Sequence, residues 1–265
     1  MPDTPHTDFV RLLSAWRPIT LEEMDSIKLM NRIDTKYFTD EATLVDILAD
    51  ADRCGYRVLD VAGDRISPYV SVYFDTADLK CFFDHRNRHL VRQKVRTRSY
   101  VKQGKTFLEI KRKNNKGRTN KKRIAIDPGC MTDFSGDAAA VAYLAGHSWF
   151  TVDRLSPVLE TAFRRITLVN AEKTERLTID VELAFRNFRT GREASLLDSV
   201  IIELKQDGRA ASPMKGILLD HRVKPFRVSK YCVAVTLTDP AARGGRFKIK
   251  VRRMEKVINH KMKVQ

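Results

Sequence analysis

Between Arg86 and Arg123 the chain carries sixteen Lys and Arg residues against a single acid, Glu109. Much of that charge falls on every second residue. Successive side chains of a β-strand point to opposite faces. In Leu90 to Tyr100 (LVRQKVRTRSY) this rule puts Arg92, Lys94, Arg96 and Arg98 on one face. In Thr106 to Lys113 (TFLEIKRK) it puts Phe107, Glu109, Lys111 and Lys113 on one face and Leu108 and Ile110 on the other. Gly104 between the two runs predicts a hairpin. Like charges set side by side on neighbouring strands repel, so an open sheet gains nothing from such a face. Strands that curl into a barrel around a polyanion do gain from it. Arg and Lys lining a lumen bind phosphates through charge-assisted, often bidentate hydrogen bonds. The restricted dielectric strengthens each contact. Two other readings share the alternation: a solvated face, and a stripe that tracks a nucleic-acid backbone.

Two features argue against nucleic acid. A single-strand stacking platform needs outward aromatics, and Tyr100 and Phe107 are the only ones in this segment. Lone acids also recur among the cations, Glu109 here and Glu203 in VIIELK. An acid adds nothing to backbone binding, but it can hold a divalent cation bound to phosphate. The wider composition agrees with a polyanionic partner. The net charge is +16, and a second basic run, Arg243 to Lys263, holds nine basic residues and one acid, Glu255. The rest of the chain is net acidic, so the charge is concentrated in one device and one tail. A length of 265 residues with 43% hydrophobic side chains supports a single sizeable core. No apolar stretch reaches the roughly 20 residues of a membrane span. The polar start, Met1 to Asp8, does not resemble a signal peptide. The scattered Cys54, Cys81, Cys130 and Cys232 fit reduced, mostly buried thiols and offer no zinc site. The expected location is cytoplasmic, or peripheral at the inner face of a membrane.

Helical spacing predicts a helix over Glu41 to Asp52 with Asp40 as N-cap. It also predicts an Ala-rich helix over Asp137 to Ala145 stopped by Gly146, and a third over Pro213 to Leu219. Strand patterns cover Val70 to Phe74, Leu90 to Tyr100, Thr106 to Lys113, Lys121 to Ile126, Pro157 to Leu168, Glu175 to Leu183 and Ser199 to Lys205. The fold class is therefore α+β, dominated by an antiparallel sheet with short flanking helices. Asp75 and Asp78 read as turn chemistry, with Asp75 capping the segment that follows. Tyr73 and Phe74 read as core or wall.

The ordered set RIDTKYF, SVYFDTADLKCFFDH, RQKVRTRSY, FLEIKRK, ETAFRRITL, RLTIDVEL, IIELK and FRVSKY resembles the VTC domain. This is the polyphosphate polymerase domain of the vacuolar transporter chaperone complex and its bacterial relatives, within the triphosphate tunnel metalloenzymes. The similarity runs from about Asn31 to Tyr231. It implies an antiparallel tunnel barrel and transfer of the γ-phosphate of ATP to inorganic polyphosphate, with Mn2+ or Mg2+. Residue by residue, it implies catalytic roles for Lys36, Arg96, Arg98, Lys111, Arg165 and Arg176, and makes Glu203 the metal ligand. Substrate contacts would come from Arg164 (the rival of Arg165), Lys94, Glu109, Arg123, Arg227 and Lys230. Arg123 stands for the cluster Lys121 to Arg123, whose register the sequence leaves open. Many tunnel enzymes open with E-x-E-x-K. Here Arg32, Asp34 and Lys36 hold those positions, which sets the chain apart from the hydrolase relatives. Arg227 replaces the first lysine of the family's K-x-S-K. The expected organisation is a helical lead-in over 1–30, the tunnel domain over 31–240 and a basic tail over 241–265, with no spacer domain before it and no membrane domain after it.

Lys102, Lys105, Lys116 and Arg118 read as solvated loop residues, and His85 and His89 as having no metal role. In the tail, FKIKVRRMEKVI spaces Phe247, Val251, Met254 and Ile258 as an amphipathic helix. It would dock on an acidic membrane surface or a membrane protein partner, or plug the tunnel mouth; the alternative is a solvated extension. Beside the polymerase stand a hydrolase of the same fold, a non-catalytic polyphosphate- or inositol-polyphosphate-binding module, and a nucleic-acid binder.

Overall fold

The computed structural model describes residues 8–25, 27, 32–208, 210–259 and 262–264. Asn31 and most of the Met1 to Asp8 segment lie outside the described residues, as does Lys261 in the tail. In chain order the elements are α1 (Phe9–Leu13), β1 (Pro18–Ile19), α2 (Leu21–Asp25), β2 (Ile33–Asp40), α3 (Glu41–Arg53), β3 (Arg57–Leu59), β4 (Ser67–Asp75), α4 (Lys80–Arg86), β5 (Arg92–Tyr100), β6 (Lys105–Lys113), β7 (Thr119–Ile126), α5 (Ala138–His147), β8 (Ser156–Val169), β9 (Glu175–Asn187), β10 (Glu193–Leu196), β11 (Ser199–Gln206), α6 (Pro213–Asp220), α7 (Lys230–Thr238), α8 (Arg246–Val257) and β12 (Lys263–Val264).

Antiparallel pairing runs β2–β11–β9–β8–β4–β5–β6–β7. The second half of β9 pairs with β10, which pairs with β12, and β3 lies beside the last residues of β8. Strands β2 and β7 are not hydrogen-bonded to each other among the described residues. The sheet curls instead of closing through a ladder: Lys111 on β6 feels the charges of Lys36 on β2 and Glu203 on β11. Register shifts at Tyr73/Phe74 and Ala162/Arg164 accompany this curl, the second opposite Glu182, whose φ is +52°. Bulges of this kind bend a strand and increase its twist.

The two faces of the sheet have different covers. On the convex face, α3 and α6 pack Leu44, Ile47, Leu48, Met214 and Leu218 against Ile179, Ile202 and Leu204. Further along, α5 packs Ala140 and Leu144 over Val95, Leu108 and Ile110. These are the apolar alternates of the strands whose other face is cationic. On the concave face, α4, α7 and α8 cover one end through Phe82, Tyr231, Val235, Phe247 and Met254 against Leu159, Leu183 and Phe185. The cations occupy the remainder of that face.

The local signals explain most of the helices. Asp40 caps α3 by accepting from Thr43 N at 2.7 Å, and Asp137 caps α5 through Ala140 N at 3.0 Å. Helix α5 runs through Gly146 to His147 instead of stopping at the glycine. Burial of Leu144 and a bond from Ser148 N to Leu144 O carry it over that position. Asp75 does more than cap: it accepts from Cys81 N, Phe82 N and the Tyr231 hydroxyl, tying α4 to α7. Cys81 and Cys232 are buried, whereas Cys54 is exposed, so burial of the thiols holds for only part of the set. The tail folds as α8, with Phe247, Val251, Met254 and Ile258 buried against α7 and α4. The face formed by these four residues is thus occupied by the protein's own core, while Ile249 and Val257 of the same helix stay exposed. No described helix is long and apolar enough to cross a membrane.

Candidate phosphate-binding lumen

Strand register collects the cations. Across the concave face Lys36 stands opposite Glu203, which stands opposite Thr178. Arg165 stands opposite Asp180 and Ser67. Arg98 lies between Ser71 and Phe107, Arg96 between Tyr73 and Glu109, and Lys94 opposite Lys111. Glu109 then faces Arg123, and Lys111 faces Lys121. Lys36, Lys94, Arg96, Arg98, Lys111, Arg123, Arg165, Arg176 and Glu203 therefore share one face. The register of the Lys121 to Arg123 cluster is settled as well: Lys121 and Arg123 turn inward and Lys122 outward.

Each acid in this lumen has a different neighbourhood. Glu109 is only 2% exposed. It accepts from Arg96 Nε at 2.8 Å and Nη2 at 2.6 Å, and pairs with Lys121. Burial alone would raise its pKa, but Arg96, Arg98 and Lys121 hold it well below the usual carboxylate range. Asp180 is equally buried; it takes a two-pronged contact from Arg165 at 2.6 and 2.9 Å and a bond from Lys230. Glu203 is the freest of the three. Its nearest cation is Lys205 Nζ at 3.9 Å, and its side chain is 22% exposed. Burial opposes its ionisation, yet Lys36, Lys205, Arg165 and Lys111 bring its pKa down to about 2.

The cations are crowded. Burial is the first cause that lowers the pKa of Lys111, Lys205 and Lys230, each to about 8, with like charges adding to it. Burial also pulls Lys94 down, and its ammonium donates to Ser229 Oγ at 2.8 Å. Tyr73 is drawn into the same field. Burial raises its pKa, but Arg96, Arg98, Lys94 and Lys230 bring it down to about 7, and Arg96 Nη1 donates to its hydroxyl at 3.0 Å. Aromatic rings back the guanidinium groups: Arg165 lies 5.0 Å from the Tyr69 ring centroid, and Arg123 lies 4.5 Å from that of Phe107.

Two expected substrate contacts lie elsewhere. Arg164 points to the opposite face, as the period-2 rule demands once Arg165 faces in, and pairs there with Glu182 at 3.1 Å. Arg227 is exposed at the rim, one residue beyond Phe226, whose N–H donates to the Lys36 carbonyl at 2.7 Å. Conversely, Asp180 and Lys205 belong to the lumen although the sequence did not single them out; Lys121 joins it from the cluster whose register the sequence left open, and Tyr73, read as core or wall, lines it. Lys205 alternates with Glu203 on β11, so the period-2 rule alone could have found it, whereas Asp180 is marked only by its pairing with Arg165 across β8 and β9.

A cleft of about 830 Å3 lies at the tip of the β6–β7 hairpin. Its lining includes Arg112 and Lys122, which face away from the lumen, Lys113 and Lys121 from the inward alternation, and Trp149, over which Arg112 lies 4.7 Å from the ring centroid. The density of inward-facing charge favours the lumen over this cleft.

The profile of the VTC domain family matches residues 31–238. The chain belongs to the VTC domain family. No curated protein matches it. Among solved structures, a candidate adenylate cyclase from Bacillus halodurans is 12% identical, with a TM-score of 0.50, over 76% of this chain and 96% of that one. A candidate adenylyl cyclase from Hippeastrum, for which a dominant triphosphatase activity is described, is 15% identical, with a TM-score of 0.47, over 76% and 94%. The first of these likenesses supports the tunnel fold. The VTC domain concerns triphosphate and polyphosphate chemistry.

Proposed function

We propose that this VTC-domain protein is a polyphosphate polymerase that transfers the γ-phosphate of ATP to a growing inorganic polyphosphate chain inside the lumen. The observation that carries the reading is the single inward face to which Lys36, Lys94, Arg96, Arg98, Lys111 and Arg165 belong and onto which Lys230 reaches from α7, with one loosely paired carboxylate, Glu203, among them. Phosphoryl transfer asks a protein for alignment and charge neutralisation more than for covalent chemistry. The attacking group is the terminal oxygen of the polyphosphate chain. It forms a bond to the γ-phosphorus while the bond to the β,γ-bridging oxygen breaks, and ADP leaves with that electron pair. Arg96, Arg98 and Arg165, already oriented by Glu109, Ser71 and Asp180, present fixed donors to the equatorial oxygens. Lys36, Lys111 and Lys230 add compact charges that neutralise the chain. Arg176 and Lys205 extend the same face beyond Glu203.

The donor set fits a divalent ion held mainly by the substrate. Among the described residues no group of three His, Cys, Asp or Glu side chains converges. Glu109 and Asp180 are each engaged by two cations, which leaves Glu203 to hold Mn2+ or Mg2+ together with phosphate oxygens and water, a common arrangement for Mg2+. Bound there, the ion would screen charge between neighbouring phosphates. A hydrolase of the same fold is the second reading. It is favoured by α7, which covers one end of the concave face with Tyr231 stacked on Tyr73 at 5.1 Å between ring centroids.

The test is one reaction with ATP and Mn2+, assayed separately for ADP, free phosphate and polymer, alongside Glu203→Ala. ADP matched by polymer, and lost in the variant, supports the polymerase. ADP matched by free phosphate replaces it with the hydrolase. No ADP, with triphosphate still bound, leaves a binding module.

A further inference from the structure

The strongest cluster of unpaired charge outside the lumen lies at its rim, where α8 meets β2. Helix α8 lies beyond the residues that the family profile matches. It is held to α7 by Phe247, Val251 and Met254 and by a close approach at Gly244, where an added Cβ would stand 2.3 Å from Thr236 Cγ2. Lys250 on this helix donates to the carbonyl of Arg227 and lies 5.9 Å from the Phe226 ring centroid. Phe226 is itself bonded to the backbone of Lys36, so this point is next to the lumen. From the other side, Arg86 Nη1 donates to the Arg243 carbonyl at 2.6 Å. Arg92 continues the inward stripe of β5 two residues before Lys94.

The charges here meet backbone carbonyls but no carboxylate among the described residues. Burial lowers the pKa of Lys250 first, and the charges of Arg88, Arg227 and Arg246 lower it further, in line with the bond from Lys250 to the Arg227 carbonyl. Among the described residues none of Arg86, Arg88, Arg92, Arg227, Arg246 or Lys250 is ion-paired with a carboxylate. Arg246 Nη1 and His85 Nδ1 are buried without a hydrogen-bond partner among the described residues. The His85 ring packs edge-on against Phe247 at 5.8 Å. A buried donor left unpaired is costly, and a cluster of cations with an unfilled donor is complementary to a phosphate group.

We propose that this rim cluster, completed by the C-terminal helix, is a second phosphate-binding station for the part of a linear condensed phosphate that extends out of the lumen. The inference rests on the reading of the lumen as the seat of the terminal phosphates. A triphosphate would fill the lumen alone; a longer chain would reach Arg227, Lys250 and Arg246.

Calorimetry on the full chain, with inorganic triphosphate and with long-chain polyphosphate at one ionic strength, tests this. In Arg246→Gln/Lys250→Gln, triphosphate affinity should stay within about twofold of wild type. Long-chain affinity should fall by about tenfold, as two partly exposed charge-assisted contacts imply. Arg88→Gln, an exposed substitution that spares the α8 packing, should show the same split at about threefold. Unchanged long-chain affinity in the folded Arg88 and double variants would overturn the proposal, as would a wild type that binds both ligands equally. A wild type that binds neither ligand would instead remove the lumen reading, and this inference with it.

Discussion

Glu109→Gln should destabilise the free protein and yet leave it at least as responsive to triphosphate. The carboxylate is 2% exposed and faces Arg96 and Lys121, with Arg98 close by. An amide there leaves the largely buried Arg96 and the half-exposed Lys121 without their buried counter-charge. Breaking a buried pair by removing one partner costs about 3–5 kcal/mol. For a chain of this size each kcal/mol moves the melting temperature by about 2–4 °C, so the free variant should melt roughly 10 °C lower. Triphosphate supplies the missing negative charge. Saturation at about 100 times Kd stabilises any binder by about 2.7 kcal/mol, and at one fixed concentration the variant should gain more than wild type, because no fixed carboxylate competes for Arg96 and Lys121. Differential scanning fluorimetry with and without triphosphate reads both effects. A fall of less than about 2 °C, or a smaller triphosphate-induced rise in the variant than in wild type, would refute the view that Glu109 holds the place of a substrate anion.

Three further outcomes follow from the same charges. Lys111, Lys205 and Lys230 have pKa values of about 8 in the folded chain against an ordinary 10.5; below pH 8 both states are charged and the folded one bears the full penalty. The ligand-free protein should therefore become more stable between pH 8 and 10.5, while triphosphate affinity declines over the same window, measurable by denaturant titration and calorimetry. Tyr73, at about 7, should show phenolate absorbance near neutral pH that is lost in Tyr73→Phe and shifts to higher pH when triphosphate enters, as an ultraviolet titration would record. Gly244→Ala would place a methyl group against Thr236 and should loosen α8, seen as faster amide exchange over 246–257, with triphosphate affinity unchanged.

The strands were legible because their alternation is extreme: cations on one face of β5 and β6, with Val95, Leu108 and Ile110 on the other. Helix α7 was not. KYCVAVTLT is rich in β-branched residues, which favour strands, yet Ser229 caps it by accepting from Cys232 N, and burial on nearly all sides replaces amphipathic spacing. Asp180 was hidden for a different reason. An acid on a strand announces neither a metal nor an ion pair until the neighbouring strand is in register, and only the pairing of β8 with β9 puts Arg165 beside it. The choice between Arg164 and Arg165 likewise depended on the strand pairing and the nearby bulge, since both are arginine and only one can face in. The tail was legible as an amphipathic helix from Phe247, Val251, Met254 and Ile258, but its docking onto α7 depends on partners far away in sequence.

The most direct test of the lumen compares two neighbours on β6. Lys111 faces inward and Arg112 faces the outer cleft. Triphosphate titration of Lys111→Ala should show affinity lowered by about ten- to a hundredfold, the worth of one charged hydrogen bond of about 1.5–3 kcal/mol, while Arg112→Ala stays within about twofold of wild type. Loss of affinity in Arg112→Ala with Lys111→Ala unaffected would contradict the account and move the phosphate site to the hairpin cleft.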